Sequence, residues 1–517
     1  MTPSRHSLLR RLAILPIAGL ALSACAGDGE TFDGEEAGGG DTAAPAASSG
    51  QLVIAQSSDI LTMDPHMHRN RPTQNVIHTV FESLVNQDTD LNPVPELATE
   101  WEQVDDLTWR FQLREDVTFH NGEAFDAEDV KFSIERILDP EQASPRASML
   151  EVIESVEVED EHTVLITTAN PAPTLLSGLA VNEIVPSEYV EEVGDEEFAA
   201  SPVGTGPFTF GDWVPNESVT LEANEDYWDG APSVDTLVFR PIPEVSSRMA
   251  ALQSGDVHIA AEIPPDLSGQ LGGETEAVSV PGTRIFFLAM NVTEAPFDQQ
   301  EVRVAANQAV DKETLVSALY EDRARALNQP AFPEMVGYTE DVQGYEFDLD
   351  AASQALESVS DTVQIDSTEA TRMLAEAVAG QLQAAGLNAE VNVLEEQAFV
   401  EGVESGASTA YVSSWGVAEG DADVIFARHF WSPSRESAVY TGYSNPDLDE
   451  LIVAARSTTD QAQREQLYAE AMQIVMDDAP WVPLVNPEEI YGVSTQVEGW
   501  EPSPIGRFNV ADVTLGS

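Results

Sequence analysis

The chain has 517 residues, of which 42% are apolar, and its 91 acidic and 23 basic residues give a net charge of −68. A chain of this length forms two or three domains rather than one small core, and its apolar fraction is large enough to bury them. The acidic excess excludes nucleic acid and anionic lipid surfaces as partners, and it is typical of adaptation to a saline exterior or of an acidic proteome.

The first 25 residues are typical of an export signal. Arg5, Arg10 and Arg11 precede an apolar run over 12–22 that is too short to span a bilayer as a fixed helix. The run ends in Leu-Ser-Ala-Cys25, which resembles the bacterial lipobox, so we expect Cys25 to be lipidated. As the single cysteine of the chain, it forms no internal disulfide and no cysteine-based metal site. The export route, Sec or twin-arginine, stays open.

Residues 26–50 are rich in glycine, alanine and acidic residues, which predicts a disordered acidic linker. No later stretch reaches the roughly 18 apolar residues that a membrane-spanning helix needs. A lipid anchor followed by a flexible linker and a large body predicts a protein held at the outer face of a cell membrane, either on the surface of a Gram-positive cell or on the periplasmic side.

The body opens with a short apolar strand in 51–57, and apolar spacing predicts a helix over 75–85. Residues 88–92 have the start of a calcium loop, but Pro93 stands where such a loop needs glycine and Thr99 where it needs glutamate, so we expect a turn. His66 and His68 have no third ligand in sequence, and we expect no metal site.

The stretch 93–138 is the most informative. Alternating apolar residues predict a strand around Trp109, and Asn121-Gly122 predicts a tight turn. Asp126 and Asp129 have the spacing that caps a helix whose apolar face includes Ile134. Further along, Asp298 is expected to cap a helix in the same way, with Glu301 as the acid of the capping box.

Helical and strand periodicity continues through the C-terminal half. We expect helices over 368–385 (closed by Gly386), near 397–404, over 446–456 and over 461–477, and strands over 387–393 and from Thr409. Helices that alternate with strands indicate the α/β class.

Several motifs together resemble the family 5 extracellular solute-binding proteins, the peptide-, glutathione- and nickel-binding components of ABC importers. They are PELATEWE (95–102), TWRFQLREDVTFHNGEAFDAEDVKFSIER (108–136), VGTGPF (203–208), EANEDYWDG (222–230), FLAMNVTEAPFDQQEVRVAANQAVD (287–311) and WVPL (481–484).

The resemblance implies a two-lobe Venus-flytrap fold of the periplasmic-binding-protein type with an extra third domain. Lobe I would be discontinuous and comprise 51–85, 196–295 and 486–517, with an inserted subdomain over 86–195. Lobe II would comprise 296–485. Ligand would lie between lobes that close by a hinge motion.

The strand that starts at Thr409 ends in Trp415-Gly416, followed by an acidic segment, and we interpret it as the floor of the cleft. An indole offers a flat apolar face, an exposed glycine backbone offers donors and acceptors, and carboxylates can hold an ammonium group. In peptide-binding relatives an aspartate three residues after this Trp holds the ligand's ammonium, whereas Ala418 stands here. The candidate ligand-binding residues are Ser413, Trp415, Gly416, Val417, Glu419, Asp421, Asp423, His66, Met67 and Arg435. Candidates for a ligand carboxylate are Arg69, Arg323, Arg428 and Arg435.

The sequence contains no G-K-[ST] phosphate loop, no G-x-S-x-G and no H-E-x-x-H. Together with these absences, the family resemblance implies a substrate-binding lipoprotein and not an enzyme. It would be a monomer without cofactor that captures short peptides and delivers them to a membrane permease with separate ATPase subunits. The open alternatives are a nickel-chelate or oligosaccharide ligand and, in another class, a lipid-anchored secreted hydrolase.

Overall fold

The computed structural model describes residues 50–516. The predicted signal segment 1–25, Cys25 and all but the last residue of the predicted linker lie outside the described residues. Within 50–516, no helix combines the length and the apolar character that crossing a membrane requires.

The elements of residues 50–516 are as follows. The strands are β1 (Gln51–Gln56), β2 (Val85–Gln87), β3 (Pro93–Pro95), β4 (Ala98–Gln103), β5 (Thr108–Leu113), β6 (Ile153–Asp160), β7 (Thr163–Thr168), β8 (Phe208–Val214), β9 (Ser218–Ala223), β10 (Thr236–Pro241), β11 (Ile259–Ala260), β12 (Thr275–Pro281), β13 (Arg284–Met290), β14 (Ala324–Ala326), β15 (Thr362–Ser367), β16 (Asn388–Val393), β17 (Ala410–Gly416), β18 (Trp481–Ser494), β19 (Val497–Glu498) and β20 (Thr514–Leu515).

The helices are α1 (Arg71–Val80), α2 (Ala127–Leu138), α3 (Ala147–Leu150), α4 (Leu175–Leu179), α5 (Ser187–Val193), α6 (Asp195–Ala200), α7 (Val245–Ser254), α8 (Pro265–Ser268), α9 (Gln300–Ala309), α10 (Lys312–Tyr320), α11 (Leu349–Leu356), α12 (Arg372–Ala384), α13 (Glu396–Glu404), α14 (Asp423–Ile425), α15 (Pro446–Arg456) and α16 (Gln461–Asp478). Two π-helical turns follow α14, at Phe426–Phe430 and Glu436–Thr441.

The largest sheet has the strand order β16-β15-β17-β13-β18-β11-β1-β10-β9-β8, with β12 and β14 also pairing with β18. It mixes parallel pairs, such as β1 with β10, and antiparallel pairs, such as β13 with β17. Helices pack against these strands, which confirms the α/β class.

Strand β18 is shared by the two halves of this sheet. Its first residues pair with β13 and β14, and its last seven, Glu488–Ser494, pair with β12. Where the halves meet, the side-chain amide of Asn486 donates to the carbonyls of Gly282 (2.7 Å) and Arg284 (2.9 Å). A Cβ on Gly282 would lie 2.6 Å from the Pro487 carbonyl oxygen, so the two crossing chains approach as closely as they do because this residue is glycine.

A separate four-stranded sheet, ordered β4-β5-β7-β6, packs with α2 around its own apolar core, which includes Phe111, Ile134 and Ile166. This unit falls within the predicted inserted subdomain 86–195. The boundaries of that subdomain and of the two lobes stay predictions.

Local capping signals in the sequence give mixed results. Asp126 and Asp129 form the predicted capping box of α2. The predicted helix over 446–456 forms as α15 with the same bounds. The prediction for Asp298 is wrong: α9 begins two residues later, and its N-cap Gln299 makes no side-chain capping hydrogen bond. Phe297 is buried in the core beside α9, so packing rather than a cap fixes this helix start.

Two of the motifs that carry the family resemblance contact each other and the end of α1. A Cβ on Gly204 would lie 2.1 Å from the Val80 carbonyl oxygen, so this turn can pack on the end of α1 only because it contains glycine. His120 of the Asn-Gly turn hydrogen-bonds through Nε2 to the Gly206 carbonyl (2.9 Å). These motifs therefore fix the position of α1, whose first turn reaches the cavity described next.

Candidate functional site

Strand β17 is the centre of the candidate site. Tyr411 points into one buried core and Val412 into another, so the strand is covered on both faces. It pairs along its whole length with β13, whereas its pairing with β15 covers only Ala410 and Tyr411. In the described part of the chain, the edge of residues 412–416 that faces away from β13 therefore has no paired strand, and its first carbonyl, that of Val412, accepts a hydrogen bond from the Thr371 hydroxyl (3.4 Å).

A cavity of about 250 Å³ lies at the end of this strand. Six parts of the chain line it. They are α1 with the loop before it, the region of α3, the loop at Val181, the junction of β12 and β13, the end of β17 with the segment after it, and a C-terminal loop. The lining residues are Arg69, Asn70, Arg71, Gln74, Asn75, His78, Arg146, Met149, Val181, Thr283, Arg284, Gly416, Ala418, Glu419, Ile505, Gly506 and Arg507.

Helix α1 begins at the cavity because its sequence fixes the start there. Asn70 is the N-cap and accepts a hydrogen bond from the Thr73 amide (3.1 Å). Pro72 stands in the first turn, where the missing N–H costs nothing. The start of the helix thus places Arg71 in the cavity wall.

Of the residues predicted from β17, the structure brings Gly416 and Glu419 to this cavity. A Cβ on Gly416 would meet open space, so this position is accessible. Burial raises the pKa of Glu419 above its ordinary value. The neighbouring carbonyl of Ala418 accepts a hydrogen bond from the Gln87 side chain (3.3 Å), which joins the segment after β17 to β2.

Trp415 does not line this cavity. Its ring packs edge-on against His429 (centroids 4.8 Å apart), and the Arg428 guanidinium lies 4.5 Å from the ring centroid. The indole N–H is buried without a hydrogen-bond partner. His429 and Arg428 occupy part of the flat apolar area of this partly exposed ring, and a ligand role for Trp415 stays a prediction.

Asp421 and Asp423 also do not line this cavity, and both have partners. Asp421 forms a two-point ion pair with Arg464, with one contact of 2.7 Å, and both side chains are about 95% buried. Asp423 accepts from the Tyr468 hydroxyl (2.9 Å) and pairs with Arg456 (3.2 Å). Each of these two carboxylates already neutralises an arginine, which leaves Glu419 as the acidic residue of this segment that lines the cavity.

The remaining predicted residues lie elsewhere. Val417 is fully buried, and Ser413 precedes the residues of β17 that reach the cavity. His66 is buried and hydrogen-bonds the Glu183 carbonyl (2.9 Å), and burial lowers its pKa to about 4. Met67 is 40% exposed outside the cavity, and Arg435 makes an exposed ion pair with Glu404 (3.8 Å).

Among the arginines proposed for a ligand carboxylate, only Arg69 lines the cavity. Arg323 pairs with Glu488 (3.5 Å) and Arg428 with Glu436 (3.0 Å). Sequence reasoning missed four lining arginines: Arg71, Arg146, Arg284 and Arg507. The scarcity of arginine could have pointed to them, because in a chain with 23 basic and 91 acidic residues each arginine is a candidate for a specific role.

The described residues contain no group of three or more histidine, cysteine or acidic side chains arranged to hold a metal ion. The cavity itself offers guanidinium and amide donors, one imidazole and a single carboxylate, which suit an anionic or amide-rich ligand.

Comparison with known proteins gives a consistent picture. Residues 92–437 match the family described as "Bacterial extracellular solute-binding proteins, family 5 Middle". The glutathione-binding protein GsiB of Pectobacterium atrosepticum is 27% identical over 499 residues, which cover 92% of this chain and 96% of that protein.

Among solved structures, DppA of Helicobacter pylori in complex with the peptide STSA has a TM-score of 0.75 and 27% identity, with 91% of this chain and 98% of that chain covered. AppA of Bacillus subtilis in complex with a nonapeptide has a TM-score of 0.74 and 23% identity, with 92% and 100% covered. These neighbours are two-lobe periplasmic binding proteins, which confirms the predicted fold class.

Proposed function

The chain belongs to the bacterial extracellular solute-binding proteins of family 5, and from this premise we propose that it captures short peptides by lobe closure and delivers them to an ABC permease. Members of this family are transport binding proteins and not enzymes, which sets aside the hydrolase alternative. Anchoring through a lipid on Cys25, and ATP hydrolysis by separate subunits, are parts of the same proposal.

The observation that carries the peptide proposal is the edge of β17 over residues 413–416, which has no paired strand in the described part of the chain. A peptide can pair with such an edge through backbone hydrogen bonds, which give affinity whatever the side chains are. Gly416 ends this edge and lines the cavity, so a paired peptide would extend into it. Peptide complexes of relatives, DppA with STSA and AppA with a nonapeptide, support this ligand class.

Native mass spectrometry of the freshly purified protein tests the ligand class. We expect co-purified masses in the range of di- to pentapeptides. A metal-bearing or sugar mass in their place would overturn the peptide proposal and favour the nickel-chelate or oligosaccharide alternative.

Backbone pairing is tested with two tripeptides that differ only by N-methylation of the central amide. Loss of one donor to a paired strand should weaken binding at least about tenfold, since a single well-placed hydrogen bond in a dry site contributes about 1.5 kcal/mol. Equal binding of the two peptides, measured by calorimetry, would show that the edge of β17 does not pair with ligand.

A further inference from the structure

The cavity at the end of β17 is cationic in a strongly acidic protein. Its lining contains five arginines, Arg69, Arg71, Arg146, Arg284 and Arg507, and one carboxylate, Glu419. The whole chain has a net charge of −68. A random patch of this chain would carry excess negative charge, so the local excess of guanidinium groups calls for an explanation in terms of the ligand.

Two of these arginines stand together near Gly416. Arg284 is paired with Gly416 across the sheet, and its Nη1 donates to the Ser414 hydroxyl (3.1 Å). Arg71 is close enough that its charge, together with burial, lowers the pKa of Arg284. Arg71 itself pairs with Glu489 (2.8 Å), so one carboxylate serves two guanidinium groups.

The backbone is shaped to keep Arg71 in this position. Gly506 has φ +78°, and a Cβ added there would lie 2.9 Å from the Arg71 guanidinium carbon. The left-handed backbone favours glycine, and a side chain at this position would push the Arg71 guanidinium out of its place.

Arg146 and Arg507 form a second pair, and they are only 3% and 5% exposed. Their guanidinium groups donate mostly to neutral acceptors, including the carbonyls of Val181 and Ala180, which satisfy hydrogen bonds but leave the charge in place. Burial, and to a smaller extent the charge of Arg146, lower the pKa of Arg507 despite the opposite effect of the Glu96 and Glu183 carboxylates, and its Nε is buried without a partner. The carboxylate nearest to Arg146, that of Glu183, is 3.8 Å away.

We propose that this cavity selects peptides that carry two carboxylates, one for the Arg71–Arg284 pair and one for the Arg146–Arg507 pair. Guanidinium groups bind carboxylates through paired hydrogen bonds, and desolvation strengthens such a contact at the buried Arg146–Arg507 pair more than at the exposed Arg284. Glu419 is the lining group that can accept a ligand ammonium. The inference rests on the proposed peptide-binding function and specifies its substrate class.

Calorimetry with three matched tripeptides tests the selection: Ala-Ala-Glu with two carboxylates, Ala-Ala-Gln with one, and Ala-Ala-Gln-amide with none. We expect the dissociation constant to rise at least about tenfold with each carboxylate removed. If Ala-Ala-Gln binds as tightly as Ala-Ala-Glu, the selection is wrong while peptide binding stands. If none of the three binds, the peptide-binding function itself is overturned.

A pair of variants locates the effect. Arg284→Gln removes a cavity arginine whose side chain has a single hydrogen bond, so the fold should survive, and the dissociation constant for Ala-Ala-Glu should rise about tenfold whichever of its two carboxylates this pair binds. Arg323→Gln is the matched control, because Arg323 is partly exposed and pairs with Glu488 outside the cavity. A dissociation constant for Ala-Ala-Glu that is unchanged in Arg284→Gln, or equally raised in Arg323→Gln, would overturn the assignment of the cavity arginines.

Discussion

Replacing Asp421 by Asn should destabilise the unliganded protein strongly. Asp421 and Arg464 are 5% and 4% exposed, and the Arg464 Nε is already buried without a partner. Asn would still accept at the position 2.7 Å from the Arg464 Nη2, but its amide nitrogen would face the second guanidinium nitrogen, donor against donor. Breaking a buried pair from one side leaves an uncompensated charge and costs about 3–5 kcal/mol.

That loss is a large share of the roughly 5–15 kcal/mol that stabilises a folded protein, so urea denaturation of the unliganded protein at fixed salt should show it clearly. Arg435→Gln is the control, because the exposed pair of Arg435 and Glu404 should contribute less than ~1 kcal/mol. Adding Arg464→Met to Asp421→Asn should restore part of the loss, because it removes the stranded charge.

The alternative considered for Asp421, a ligand-binding carboxylate, makes the opposite prediction. A ligand-binding carboxylate could be replaced with little change in the unliganded protein and a large change in ligand affinity. An apparent loss below ~1 kcal/mol in Asp421→Asn, together with weakened peptide binding, would refute the structural role described above.

Three further outcomes are expected. Trp415→Ala should lower the melting temperature of the unliganded protein, measured by calorimetry, because its ring packs on His429 and under Arg428; an unchanged melt would contradict that packing. His429 has a pKa lowered to about 3 by burial, so the unfolded state binds the extra proton between pH 6.5 and 3 and stability falls with acidification there. His429→Phe should reduce the slope of the unfolding free energy against pH, measured by urea titrations, by up to about 1.4 kcal/mol per pH unit. An equal slope in the variant and the parent protein would contradict the lowered pKa of His429. Finally, the net charge of −68 predicts a melting temperature that rises clearly from low to molar NaCl, and a flat response would refute self-repulsion as a destabilising force.

Much of the fold could be predicted because local signals and tertiary packing agree. The helix over 446–456 has Asn445 as a side-chain cap and Pro446 at its first position, and it forms as expected. Helix α12 begins at Arg372 rather than at residue 368, because residues 368–371 form a turn closed by a hydrogen bond from the Thr371 amide to the Thr368 carbonyl (3.2 Å). The N-cap Thr371 makes no side-chain capping hydrogen bond. Where no cap decides the start of a helix, packing does, and sequence periodicity does not report it.

The site was harder to predict because its residues come from distant parts of the chain. Gly416 and Glu419 could be predicted because the first ends a recognisable strand and the second follows it. Arg146 and Arg507 sit in segments without any motif, and only the fold brings them to one cavity. The acidic segment after β17 suggested a ligand-binding role for Asp421 for a related reason. Arg464, which neutralises Asp421, lies 43 residues further along the chain, so the sequence does not show the pair.

Strand β18 has a consequence for the order in which the protein can be assembled. Strands β11, β12, β13 and β14 all pair with it, yet it is made of residues 481–494. Because the chain is synthesised from its N-terminus, β1 can pair with β10 early. Neither half of the large sheet can be completed until residue 494 has been made. Pairing across such sequence separation is slow, so most of the chain has to remain incompletely folded until its last segment has been synthesised.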